Sequence, residues 1–114
     1  MRYLMLLRLD ESGWDRLTAA EQTAAMAAYG SFNAALTEAG AMVAAGRLAA
    51  SAGAGAVRTK GGRTVVMDGP YAETKEQVAG FYLIEARSRE AALEWAARCP
   101  AAGHGVVEVR EVMG

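Results

Sequence analysis

The sequence predicts one α+β domain built on an antiparallel sheet, and three observations predict it. Segments with strand character, about 2–9 and 78–86, carry apolar residues on both faces. They alternate with two segments of helical spacing, about 18–39 and 88–99. No repeat, linker or break in composition divides the 114 residues, a length near the commonest domain size, so residues 1–114 are expected to form a single domain.

In the first strand, Tyr3, Met5, Leu7 and Leu9 share one face, and Leu4 and Leu6 make the other face apolar. The uncharged run Tyr3–Leu7 stops at Arg8, too short for the apolar part of a signal peptide or for a membrane span. Thr18-Ala-Ala-Glu21 fits a capping box, in which the hydroxyl and the carboxylate each satisfy a free backbone N–H. Ala25, Tyr29, Phe32, Leu36 and Ala39 then recur at helical spacing, and Gly40 suits the residue just past the helix end.

A second strand is expected over about 42–49, followed by the flexible connector SAGAGA at 51–56. Val57–Met67 reads as a hairpin, because Gly61-Gly62 supplies the positive φ angles of a tight turn between two β-type runs. After the strand at 78–86, Ser88 caps a helix that Pro100 stops. Leu93, Trp95, Ala96 and Cys99 are expected on its buried side, and the last strand covers about 105–112.

With the hairpin set aside the order is βαββαβ, the split or ferredoxin-like pattern. Both helices of that pattern lie on one face of a four-stranded sheet and leave the other bare. Strands apolar on both faces need a second cover, and an identical sheet related by two-fold symmetry is the economical one. A homodimer is therefore expected. Alanine, 26 of 114 residues, buries little area, so the few large side chains must carry the core.

Twelve basic residues against 13 acidic ones, with pI ≈ 5.8, argue against a nucleic-acid partner. Cys99 is the single cysteine, which excludes an internal disulfide and suits a reducing, cytoplasmic location. One His (His104) and one Cys make a thin metal set, and no metal is expected. No phosphate loop, nucleophile elbow or dinucleotide fingerprint is present, and no cofactor is expected.

The most distinctive stretch is MDGPYAETKEQ at 67–77, directly ahead of the strand VAGFYLIEA. Asp68-Gly69-Pro70 is good turn chemistry, with a carboxylate for nearby N–H groups, a glycine for unusual φ and a proline for fixed φ. The same rigid turn would also mount Asp68 beside a cleft as a general base or ligand anchor. Glu73 and Lys75 read either as solvated loop charges or as a carboxylate and a cation facing a small polar ligand. Tyr71 and Tyr82 offer hydroxyls on apolar rings, with core packing the alternative. Arg8 and Asp10 at the exit of the first strand border the same region or lie on the surface. Arg58, Lys60 and Arg63 around the Gly-Gly turn read as a solvated hairpin tip.

The run Asp68–Gln77, followed by Gly80-Phe81-Tyr82-Leu83-Ile84, resembles the DGPF-type branch of the YCII-related family, with Tyr71 standing where that branch has Phe. The resemblance extends to the RYLMLL strand, Ala28-Tyr29, the helix Ala91–Arg98 and VEVR at Val107–Arg110. It implies a ferredoxin-like dimer of the dimeric α/β-barrel type. It also implies that Asp68 matches the aspartate of a His–Asp pair used by some enzymes of the wider family. His104 does not occupy the histidine's place in that pattern, so the pair does not carry over. Many DGPF-type proteins are encoded beside extracytoplasmic-function sigma factors. The chain is thus expected to be a cofactor-independent enzyme or small-ligand binder, with Asp68 catalytic and Tyr71, Glu73, Lys75 and Tyr82 contacting the ligand. The alternative is a regulatory partner of such a sigma factor. A cofactor-free monooxygenase or isomerase rests on analogy of fold alone.

Overall fold

The computed structural model describes all 114 residues. Its strands are β1 (Arg2–Leu9), β2 (Met42–Arg47), β3 (Gly55–Lys60), β4 (Arg63–Asp68), β5 (Gln77–Glu85) and β6 (Val106–Glu111), and its helices α1 (Ala19–Glu38) and α2 (Arg89–Arg98). Strands β2, β5, β1 and β6 pair antiparallel in that order, and β3 and β4 form a separate two-stranded ribbon. With the ribbon set aside, β1 and β5 are central and the topology is ferredoxin-like. Neither helix is long and apolar enough to cross a membrane.

The period of two in the strands sorts the sheet into two different faces. Tyr3, Met5 and Leu7 of β1 and Tyr82 and Ile84 of β5 are buried beneath the helices. α1 places Phe32 and Leu36 on them, one helical turn apart, and the Phe32 ring meets Tyr82 edge-on at 5.2 Å. The helix starts where the Thr18 hydroxyl accepts from the Glu21 N–H at 3.1 Å and the Glu21 carboxylate accepts from the Thr18 N–H at 2.8 Å. It stops at Gly40, whose φ of 69° reverses the chain while the Ala41 N–H donates back to Leu36 O.

α2 docks through Ala96, Trp95 and Cys99 as its sequence suggests, but with Ala92 in the place expected of Leu93. Ala92 and Ala96 are buried, and Leu93 is 38% exposed at the rim. Two alanines four residues apart let the helix backbone approach the sheet closely, and this turns Leu93 outward. Trp95 and Cys99 do face inward, with the Trp95 ring 6.2 Å from Phe32 and covered from outside by Arg98 at 4.4 Å. In α1 the expected stripe is likewise cut short, because Ala39 caps the helix and is exposed. Three short 3-10 turns, 11–16, 51–53 and 100–103, were not legible as elements. The first is held by Asp10, which accepts from the Ser12 N–H, and tied to the second by Glu11, which accepts from Ser51 N and Oγ.

On the other face lie Leu4, Leu6, Phe81 and Leu83, opposite one another in register and half-buried, with no helix above them. Gly46 of β2 has the Phe81 ring in the place of a side chain, since a Cβ there would stand 2.6 Å from the ring. This open face has consequences for the whole molecule. The chain exposes 7700 Å² at 12.0 kDa, whereas a globular protein of that mass exposes roughly 6,000 Å². Its radius of gyration is 16.0 Å, against about 13 Å for a compact domain of this length. The slab measures 48 × 41 × 17 Å.

The contrast between Leu36 and Leu93 is testable. Leu36→Ala is expected to cost about 2–5 kcal/mol in chemical denaturation, and Leu93→Ala less than about 1 kcal/mol. Equal losses would contradict the docking of α2 through its alanines.

Candidate functional site

The open face is apolar in its centre and charged at one end. Arg8 is the last open-face residue of β1, placed just after a register shift between Leu7 and Arg8. Its Nε donates to Glu108 Oε1 of β6 at 2.9 Å, and Arg110 lies 3.7 Å from the other carboxylate oxygen. The bond from Arg8 holds the Glu108 carboxyl below its usual range, with the charges of Arg8 and Arg110 adding to the effect.

The segment between β4 and β5 approaches Arg8 from the side. Gly69, with φ 88°, turns the chain at the root of the ribbon, and its N–H donates to Ala54 O. Further on, the Gln77 amide donates to Ala72 O at 2.9 Å and Thr74 O at 3.1 Å, and Thr74 Oγ1 donates to Glu76 O at 2.9 Å. These bonds fold residues 72–77 into a compact turn. Between that turn and β1 is a cleft of about 570 Å³ lined by Arg8, Thr74, Lys75 and Glu76. Lys75 forms no ion pair, whereas Arg8 is shared with Glu108. The cleft therefore presents one free and one half-neutralised cation, together with a hydroxyl and a carboxylate, and the apolar part of the open face begins outside its lining, at Leu6 two residues before Arg8. Such an arrangement can hold an anionic oxygen of a small molecule.

Of the residues singled out in the sequence, the structure brings Arg8 and Lys75 together. Asp68 is exposed as the last residue of β4, opposite Gly55, and does not line the cleft within one chain. Tyr71 is 76% exposed and packs back on the ribbon, where the Arg58 guanidinium lies 5.8 Å from its ring centre and donates to its hydroxyl at 3.1 Å. Glu73 is exposed and outside the lining set. Tyr82 is buried on the helix side of the sheet, where its hydroxyl donates to Asn33 Oδ1 at 2.5 Å. Burial, with Cys99 nearby, pushes its pKa up to about 12, so its proton stays in place at neutral pH. The sheet itself separates that hydroxyl from the cleft.

Asp10 is taken up by its capping role and by Arg16, 3.4 Å away. His104 ends the 100–103 turn as an exposed loop residue, and burial raises the Cys99 thiol pKa. Glu108, Thr74 and Glu76 are the members that sequence reasoning passed over. A signal for Glu108 existed: Val107-Glu-Val-Arg110 alternates, which puts both charges on the same side as Arg8 once β6 is paired with β1.

The Arg8–Glu108 pair has a defined pH dependence. The native pKa of Glu108 is depressed, so its contribution is present above the unfolded carboxylate value and fades as pH falls through the lower native value, below 4.5. In a carboxyl-carbon NMR titration, Arg8→Gln is expected to raise the Glu108 pKa towards 4.5. An unchanged midpoint in the variant would remove Arg8 as the cause.

Comparison with known proteins adds to this geometry. The model of the YCII-related domain matches residues 1–114. An uncharacterised protein from Rhizobium meliloti (strain 1021) is 38% identical over 96 residues, covering 84% of this chain and 77% of that protein. Among solved structures, the 5-chloro-2-hydroxyhydroquinone dehydrochlorinase of Burkholderia phenoliruptrix AC1100, in complex with 2,5-dihydroxybenzoquinone, superposes with a TM-score of 0.57 at 14% identity. That match covers 99% of this chain and 94% of the other, and at this identity it speaks for the fold.

Proposed function

The chain belongs to the YCII-related family, and on that footing we propose that it binds a small, flat, anionic molecule in the cleft between Arg8 and Lys75. The observation that carries this is the convergence of two cations from separate elements, β1 and the 72–77 turn, at the end of an uncovered apolar sheet face. A ring would lie on Leu6 and Phe81, and an ionised oxygen would meet Lys75 first, because Arg8 is engaged with Glu108. The ligand named for the structurally similar dehydrochlorinase, a dihydroxybenzoquinone, has this form of flat body with acidic oxygens.

The chemistry proposed is proton transfer without a cofactor, with Asp68 as the base. Asp68 ends β4 where the loop that carries Lys75 begins, and Gly69 between them is the residue able to swing the carboxylate. Tyr71 and Glu73, on the same loop, would form its outer contacts. The working unit is proposed to be a homodimer with open sheet faces opposed, which would also keep bulk water from the cleft.

Titration of amide-labelled protein with hydroxybenzoates and hydroxyquinones tests this reading. Shifts are expected at Arg8 and the 72–77 amides. Loss of the Lys75 charge-assisted bond in Lys75→Gln should weaken binding about 10–100-fold. Glu108→Gln, which frees Arg8, should tighten it. Asp68→Asn should leave binding intact and abolish turnover of any compound that reacts. If no such compound moves these amides, the small-ligand reading is wrong, and a protein partner such as a sigma factor becomes the better account.

A further inference from the structure

The ribbon formed by β3 and β4 stands apart from the sheet and has two unlike faces. Residues opposite each other in an antiparallel pair share a face. Val57 faces Val66 and Thr59 faces Thr64, with their hydroxyls 3.2 Å apart, which gives one β-branched face whose single charge is Asp68, opposite Gly55 at the root of the ribbon. Arg58 faces Val65 and Lys60 faces Arg63, which gives a basic face on the other side, where Arg58 donates to the Tyr71 hydroxyl. Both are open. Val57 and Val66 are 67% and 68% exposed, and every residue of β4 is exposed. Solvent-exposed two-stranded hairpins are marginal in water, yet this one presents β-branched residues where a free hairpin would carry charge.

Two further observations say what covers it. The excess exposed area of the whole chain, open sheet face and ribbon together, is about 1,700 Å² over a compact protein of its mass, which is in the range that an obligate homodimer buries per subunit. The charge also divides unevenly. Residues 55–68 hold three cations and one anion, and the remaining residues hold nine cations and twelve anions. A ribbon of net charge +2 and a body of net charge −3 complement each other between copies.

We propose that the β3–β4 ribbon is an intersubunit arm that seats its Val57, Thr59, Thr64 and Val66 face on a second copy of this chain, the two arms being exchanged across a two-fold axis. The arm uses a surface distinct from Leu4, Leu6, Phe81 and Leu83 and does not depend on any ligand. The basic face flanks the contact and steers the acidic body into it. Because the arm's root carries Asp68 and Gly69, seating the arm also sets where the 68–77 loop begins.

Light scattering combined with amide hydrogen exchange tests the arm. The native chain is expected to be a dimer with protected β3 and β4 amides. Val57→Glu/Val66→Glu should weaken dimerisation at least tenfold and strip protection from the arm, while β1 and β5 amides stay protected and show that the fold is intact. Lys60→Gln/Arg63→Gln should keep the dimer but flatten the salt dependence of its association rate. A monomeric native chain would overturn the proposal, and so would a dimer whose arm amides exchange freely. A dimer that is broken by Leu6→Glu but indifferent to the Val57/Val66 change would assign association to the sheet face alone, which also overturns the arm. The ribbon variants leave Arg8, Lys75, Leu6 and Phe81 unchanged, so the arm stands or falls apart from ligand binding.

Discussion

Two central strands, β1 and β5, are apolar on both faces, and the chain has helices for only one of them. This constraint organises the rest of the molecule. Tyr3, Met5, Leu7, Tyr82 and Ile84 pair with Phe32, Leu36, Ala92 and Ala96 to make a core in which the largest side chains come from few positions. Leu4, Leu6, Phe81 and Leu83 remain on the far side, half-buried by one another and by the bare backbone of Gly46. Such a surface is unfavourable in water at about 25 cal/mol for each Å² of apolar area. The flat outline, the large exposed area and the projecting ribbon are all consistent with a subunit whose burial is incomplete within one chain.

The candidate site grows from the same constraint. Where the open face runs out, Arg8 and Glu108 replace apolar residues, and each satisfies the other across two strands. Next to them the 72–77 turn, stapled by Gln77, projects Lys75 without a partner. An apolar floor ending at an unpaired cation is the kind of boundary where a small amphipathic anion gains both burial and a charge-assisted bond. The same sheet keeps Tyr82 and its short bond to Asn33 on the structural side, away from this chemistry.

Much of this was legible in the residues because it is local. The capping box at Thr18, the Gly61-Gly62 turn, the stop at Gly40 and the two-sided strands each follow from side chains within a few positions of one another. The α2 docking was less legible: helical spacing alone admits Leu93 or Ala92 on the inner side, and the choice depends on how closely the helix lies on the sheet. Tyr82 shares its face with Ile84 and pairs beside Tyr3 and Met5, so register, a non-local property, decides its place. The Arg8–Glu108 pair likewise spans 100 residues of sequence and exists only once β6 has paired with β1. Asp68 could be marked as a turn residue from its neighbours, but its distance from Lys75 in space could not.

The central claim, that the open face of β1 and β5 is covered by a second chain, is tested most directly by isotope-filtered NMR. The sample would mix chains carrying labelled Leu and Phe side chains with unlabelled chains. Intermolecular contacts to the Leu4, Leu6, Leu83 and Phe81 side chains, with none to Leu36 beneath the helices, are the result this account predicts. A sample in which those four side chains meet only their own chain and solvent would contradict it.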